Sequence, residues 1–138
     1  MFIMNKYKVA LVGSGQSSPD DCAVLDDDVL TVVQDNRVVR LDLHNRTVVA
    51  TYDTDLYGCA FGLYSTPDGY FIHGELEVAR YDKDFNKKWG FSGRDIFVSP
   101  NNKQAFQLLE DRVCLYDFED NYYELDYNGN QPLDLPHK

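Results

Sequence analysis

The residues best placed to do chemistry stand at the front of the chain. "KVALVGSGQSSPDD" (8–21) joins an apolar run to Gly13-Ser14-Gly15, a pattern that lets backbone approach a pyrophosphate at a helix start. Ser18-Pro19 would cap that helix, and Asp35, 22 residues beyond Gly13, stands where a ribose-binding acid belongs. Three features oppose this. Ser18 takes the third glycine's place, Asp20 and Asp21 would repel phosphate at the helix N-terminus, and no βαβ pattern follows. The nucleotide reading therefore requires a helix over 19–29 beneath a parallel sheet.

Other candidate chemistry is thinner. "DKDFN" (82–86) and "DTDLYG" (53–58) alternate carboxylates as a calcium loop does. Lys87 stands where the first needs glycine. The second has Gly58 but Tyr57 replaces an oxygen ligand, and Tyr64 stands where the closing acid belongs. Turn chemistry accounts for both, and neither metal nor cofactor is expected. His44, His73 and His137 are scattered, and no GxSxG elbow occurs. Acidic side chains number 23, so a small carboxylate-dependent hydrolase stays open as an alternative, although most acids should be solvated surface. Cys22, Cys59 and Cys114 are odd in number with no CxxC. They are expected as free, buried thiols in a reducing, cytoplasmic setting.

The balance of 23 acidic against 13 basic side chains gives a net charge of −10. That weighs against nucleic acid and anionic membrane surfaces, which need cationic neutralisation. The opening "MFIMNKYKVALVG", interrupted by Lys6 and Lys8, is expected as neither secretory leader nor membrane span.

The elements that must position these residues are strands. Aromatics make up 14% of the 138 residues, and the hydrophobic period from Val29 onward is two. "VLTVV" (29–33), "RVVRLDL" (37–43) and "TVVATYD" (47–53) form a three-strand meander. In the second, Val38, Arg40 and Asp42 alternate against Val39, Leu41 and Leu43, and which set is buried stays open. The cadence returns in "GYFIH" (69–73), "LEVARYD" (76–82) and "KKWGF" (87–91), and again in "QAFQLL" (104–109), "RVCLYDF" (112–118) and "NYYELDY" (121–127). A further short run precedes each meander: "CAVL" (22–25), "GCAFGLY" (58–64) and "DIFV" (95–98). Leu41-Asp42, Tyr81-Asp82 and Tyr116-Asp117 end the third strands, 40 and then 35 residues apart. Four short strands at this period predict propeller-type blades.

"VARYDKDFNKKWGFSG" (78–93) resembles the repeat of PQQ-type β-propellers, in which an Asp precedes a turn and a Trp follows on the outermost strand. "STPDGYFI" (65–72) and "SPNNKQAF" (99–106) resemble the turn between first and second strands of WD40-like blades. Phe85-Asn86 replaces the Thr-Gly of the PQQ-type turn, and one unit has the Trp. The resemblance implies a structural repeat without a cofactor, with Trp89 wedged between blades.

The expected architecture is all-β, a single domain over 1–138. Its three four-stranded antiparallel blade-like units span about 22–53, 58–91 and 95–127, with end strands at 7–13 and 132–135. Three blades leave terminal faces uncovered. They can close into six blades by homodimerisation, stay an open fan capped by the end strands, or collapse into a sandwich, with the dimer ahead of the monomer. Function is expected to be non-catalytic protein binding or scaffolding. Asp20, Asp21, Asp26, Asp27 and Asp28 form the partner-binding surface, and a basic partner is favoured. A small acidic immunity-type inhibitor of a basic toxin is the sharper alternative.

Overall fold

The computed structural model describes residues 21–101 and 103–132. The expected end strand 7–13 lies outside the described residues, as do Asp20 and all of 132–135 except Pro132. All but one of the twelve short runs expected over 22–127 become strands. The first sheet is β1 (Ala23–Asp26), β2 (Val29–Gln34), β3 (Arg37–Asp42) and β4 (Thr47–Asp53). The second is β5 (Ala60–Thr66), β6 (Gly69–Gly74), β7 (Val78–Asp82) and β8 (Lys87–Phe91). The third is β9 (Phe106–Leu108), β10 (Arg112–Tyr116) and β11 (Tyr122–Asp126). Neighbours pair antiparallel in chain order in all three, which we call blades 1, 2 and 3. Residues 23–26 form a strand paired antiparallel with β2, so the helix required for nucleotide binding is not there.

Turn residues set these registers. Asp35 and Asn36 both take positive φ, 52° and 62°, the geometry a two-residue hairpin between twisted strands demands. The aspartates ending strands act as clasps. Asp82 Oδ1 accepts the backbone N–H of Asp84 and Asn86, both at 2.9 Å, and Oδ2 accepts Asn86 Nδ2 at 3.1 Å. Asp42 does the same with His44 and Asn45, and Asp117 with Glu119 and Asn121. The oxygens that suggested a calcium loop in "DKDFN" thus serve their own turn.

Two cores fill the junctions. Between blades 1 and 2 lie Val33, Val38, Leu63, Ile72, Ala79, Tyr81 and Phe85. Between blades 2 and 3 lie Phe71, Val78, Phe97, Phe106, Val113, Leu115, Tyr123 and Leu125. An arginine crosses each junction. Arg40 stacks on Tyr52, Tyr70 and Phe85, its guanidinium carbon 5.0–5.7 Å from their centroids, and donates to both tyrosine hydroxyls. Arg80 lies 4.7 Å from Phe71 and 5.1 Å from Tyr127, and donates to Thr66 Oγ1 at 2.7 Å. Trp89 sits between blades as expected, its indole N–H donating to Tyr127 O at 2.9 Å.

Two expectations need correction. "DIFV" (95–98) is not a strand. Phe97 N–H donates to Glu75 O, and Ile96 O accepts from Phe118 N–H, so this segment bonds to two different blades and ladders with neither. Its apolar character serves to bury Phe97 completely. The third blade therefore has three described strands. The repeat is also placed differently. In blades 1 and 2 the residue before the clasp aspartate, Leu41 or Tyr81, faces away from the next blade, and the one before that, Arg40 or Arg80, faces toward it. Tyr116-Asp117 breaks this rule, because Leu115 packs back onto blade 2. Leu125-Asp126 obeys it: Leu125 packs on blade 2, and Asp126 clasps the N–H groups of Asn128 and Asn130. The equivalent of Asp82 is thus Asp126, 44 residues on.

Candidate binding clefts at the blade junctions

Each junction opens into a cleft. The groove between blades 1 and 2 measures about 950 Å³ and is lined by Leu25, Asp26, Asp27, Val49, Thr66 and Lys83 among others. The acidic turn Asp26–Asp28 rims it, all three side chains exposed and Asp27 at φ 52°. Beside it, the outer face of blade 1 carries an apolar cross-strand row, with Leu25 opposite Leu30, Leu30 opposite Leu41 and Leu41 opposite Val48. Leu25 is 61% exposed and Val48 60%. Leu30 between them is half-buried and Leu41 is buried, so the apolar exposure sits at the two edge strands.

The second cleft, about 380 Å³, lies between blades 2 and 3. Strand pairing sets Gly62 opposite His73 and Tyr64 opposite Phe71, all on the face toward blade 3. A bulge interrupts β5 at Phe61, which has no partner on β6. The extra residue re-aims its side chain, and the Phe61 ring meets His73 edge-on at 5.4 Å. Phe106 stacks with His73 at 5.4 Å and with Tyr64 at 4.5 Å. Asp21 enters from the other side, its carbonyl accepting Leu63 N–H at 2.7 Å and its carboxylate accepting the Tyr64 hydroxyl at 3.3 Å. Burial and the adjacent Asp21 charge push the Tyr64 pKa up.

His73 Nε2 lies 2.9 Å from Phe97 O. A carbonyl only accepts, so Nε2 carries the proton. Burial lowers the His73 pKa, outweighing the Phe97 carbonyl and the Asp21 charge, so the ring is neutral at pH 7 with Nδ1 as an acceptor. Three carboxylates also move, all downward. Backbone N–H bonds from Asn45 and Asn86 lower Asp42 and Asp82. At Asp117 burial pushes upward, but bonds from Asn121, Tyr123 and Glu119 together prevail. All three are turn clasps.

The five aspartates expected to bind a partner do not act as one surface. Asp26 and Asp27 line the first groove with Asp28 next to them in the turn, Asp21 lines the second cleft, and Asp20 lies outside the described residues. No family model and no curated protein matches the sequence. Solved structures do match. BamB from Moraxella catarrhalis superposes with a TM-score of 0.53 at 12% identity, over 86% of this chain and 35% of that one. The N-terminal domain of Nup159 superposes with a TM-score of 0.50 at 14% identity, over 80% of this chain and 28% of that one. The same figures hold for an S. cerevisiae complex of Dbp5 with Nup159 and Gle1. BamB and the Nup159 domain are β-propellers. This chain folds as propeller blades.

The chain spans about a third or less of the length of these propellers, and its described blades form an open fan. Sequence reasoning missed Phe61, Tyr64, His73 and Phe106 as a group. The one available signal was Gly62 within the apolar run "CAFGLY", since glycine inside a strand pattern marks a bulge or a close approach. Of the three free cysteines, Cys114 is buried as expected, while Cys22 and Cys59 are half-buried.

Proposed function

We propose that this propeller fan is a non-catalytic protein-interaction module. The observation that carries this is the outer face of blade 1, where the apolar row Leu25–Leu30–Leu41–Val48, exposed at its two ends Leu25 and Val48, lies beside the acidic turn Asp26–Asp28. An apolar patch with an acidic rim suits a protein surface that is apolar at its centre and basic at its edge. A propeller in a protein complex, as in the Nup159 assembly, is consistent with such use. Three free thiols favour a reducing, cytoplasmic setting.

The end faces argue against closure of two chains into a six-bladed ring. Blade 3 presents Gln107, Cys114 and Glu124 in a row on its outer face. Ring closure would set the blade 1 row against exposed Gln107 and the charged Glu124, whose side chain is already largely covered and held by Tyr122, a poor match for an apolar row. On this reading the occupant of the blade 1 face is a different protein.

The test uses the full chain as bait, with a Leu25→Lys/Val48→Lys variant as control. The expected result is capture that weakens with salt and is lost in the variant. Capture insensitive to both salt and substitution would overturn the proposal. A stable dimer by light scattering, dissociated by the same substitutions, would replace the partner with a second copy.

A further inference from the structure

The geometry points to the cleft between blades 2 and 3 as a receptor for an organic cation, namely a lysine or arginine side chain presented by the partner. This rests on the protein-interaction reading but concerns a different part of the molecule from the blade 1 face.

The donor and acceptor inventory carries the argument. Polar groups lining the cleft include the Asp21 carboxylate and the neutral His73 ring, and both offer acceptors. Tyr64 takes a hydrogen bond at Asp21 Oδ2, one of about four lone-pair positions on a carboxylate. Among the described residues, no lysine or arginine lines the cleft. Ser99 and Gln104, neutral and able to accept as well as donate, complete the polar lining, and Phe61, Tyr64, Phe97 and Phe106 supply an aromatic wall. Ring faces attract cations through their quadrupole, and a carboxylate beside them adds Coulomb attraction at reduced dielectric. An anion would meet Asp21 with no compensating charge, and a neutral alkyl group would leave the acceptors unpaired.

The cleft is also held in shape. The Asp21 backbone is fixed on β5 by Leu63 N–H, and His73 by the Phe97 carbonyl. Gly62 keeps the floor clear, since a Cβ there would stand 3.1 Å from the Tyr64 ring and 3.4 Å from Asp21 Cβ. A preformed acceptor site needs little reorganisation to receive a guest.

The experiment titrates the full chain with n-butylammonium and N-ethylguanidinium, following backbone amides by NMR. Valeramide serves as the neutral probe and butyrate as the anion. Saturable shifts at Gly62, Tyr64, His73 and Phe106 are expected with the cations alone. Asp21→Asn changes an exposed side chain and should weaken cation binding about fivefold to tenfold. Gly62→Val narrows the cleft without touching its charge and should also weaken binding. Equal binding of valeramide, undiminished binding in Asp21→Asn, or no saturable shift with either cation would each overturn the receptor. Cation binding without any salt-sensitive protein capture would leave the receptor standing and remove the partner. Capture that survives Asp21→Asn while cations fail to bind would do the reverse.

Discussion

The fan ends on two outer faces of opposite character. Blade 1 turns Leu25, Leu30, Leu41 and Val48 outward. Blade 3 turns out Gln107, Cys114 and Glu124, with Tyr116 paired to Tyr122 beside them. The polar groups on blade 3 satisfy one another. The Tyr122 hydroxyl donates to Glu124 Oε2 at 2.6 Å, and Arg112 Nε lies 3.8 Å from the same oxygen. Glu124 also stands where blades 1 and 2 place Arg40 and Arg80, the residues that cross to the next blade under aromatic rings. Blade 3 thus lacks the arginine that would reach onward, and its face is polar at Gln107 and Glu124 around a buried Cys114. Blade 1 carries an apolar row at one end of its outer face and the polar run Gln34, Arg37 and Asp53 at the other. A repeat fold built from similar sheets acquires direction from such substitutions, because identical backbones differ only in what each face presents.

The contrast is sharpest at the central residue of each face. Leu41 is buried within the blade 1 row, and Leu41→Ala should cost about 2–4 kcal/mol. Cys114→Ala, at the matching depth on blade 3, should cost well under half of that. Urea midpoints at unchanged m-value measure both, and equal losses would erase the distinction between the faces.

The next contrast lies in the turns. The Asp42 clasp of blade 1 is exposed to solvent, whereas Asp117 is fully buried and receives the Tyr123 hydroxyl at 2.7 Å. Tyr123→Phe leaves that carboxylate short of a donor and should cost about 1–3 kcal/mol. A stability close to wild type would show that solvent reaches Asp117.

Acid should act first on the blade 3 side. His73 is buried neutral with its pKa lowered below the ordinary 6.5, so the unfolded chain takes up the proton first. Stability should fall as pH drops below 6.5 toward the depressed folded value. Asp117 is lowered from 3.8, so its contribution is present above that value and is lost as pH falls through the folded pKa. Hydrogen exchange should therefore show protection lost at the blade 2–3 junction before the blade 1–2 junction, where Arg40 donates to Tyr52 and Tyr70. A His73→Gln variant that keeps the full slope between pH 5 and 7 would contradict this assignment.

The smallest expected effect on stability is on the exposed row itself. Leu25→Lys with Val48→Lys should change unfolding free energy by no more than about 0.5 kcal/mol per site, because both side chains are mostly solvated already. A loss of several kcal/mol would mean that the row packs against something within the fold.

Most strands were legible because their causes are local. β8 coincides with "KKWGF" and β4 with "TVVATYD", each bounded by its own turn residues. "DIFV" misled because its short apolar run is real while its hydrogen-bond partners, Glu75 and Phe118, lie about 20 residues away on either side. The third repeat misled because Asp117 and Asp126 head the same kind of clasp, and the direction of Leu115 and Leu125 alone separates them. Of the candidate site, the acidic turn was visible and the aromatic cleft was not.

By itself the sequence determined a chain of short antiparallel strands with aspartate-led turns, because period-two alternation and turn chemistry act over a few residues. The tertiary structure decided which faces meet. In β3 the more polar set, Val38 and Arg40, turns inward, and Val39 and Leu41 turn outward. Hydropathy along the strand favours the opposite. The arginine is tolerated at the junction because Tyr52, Tyr70 and Phe85 gather around it, and those rings arrive from two other strands and a turn. A strand has two faces, and what covers each one depends on neighbours that the strand does not contain.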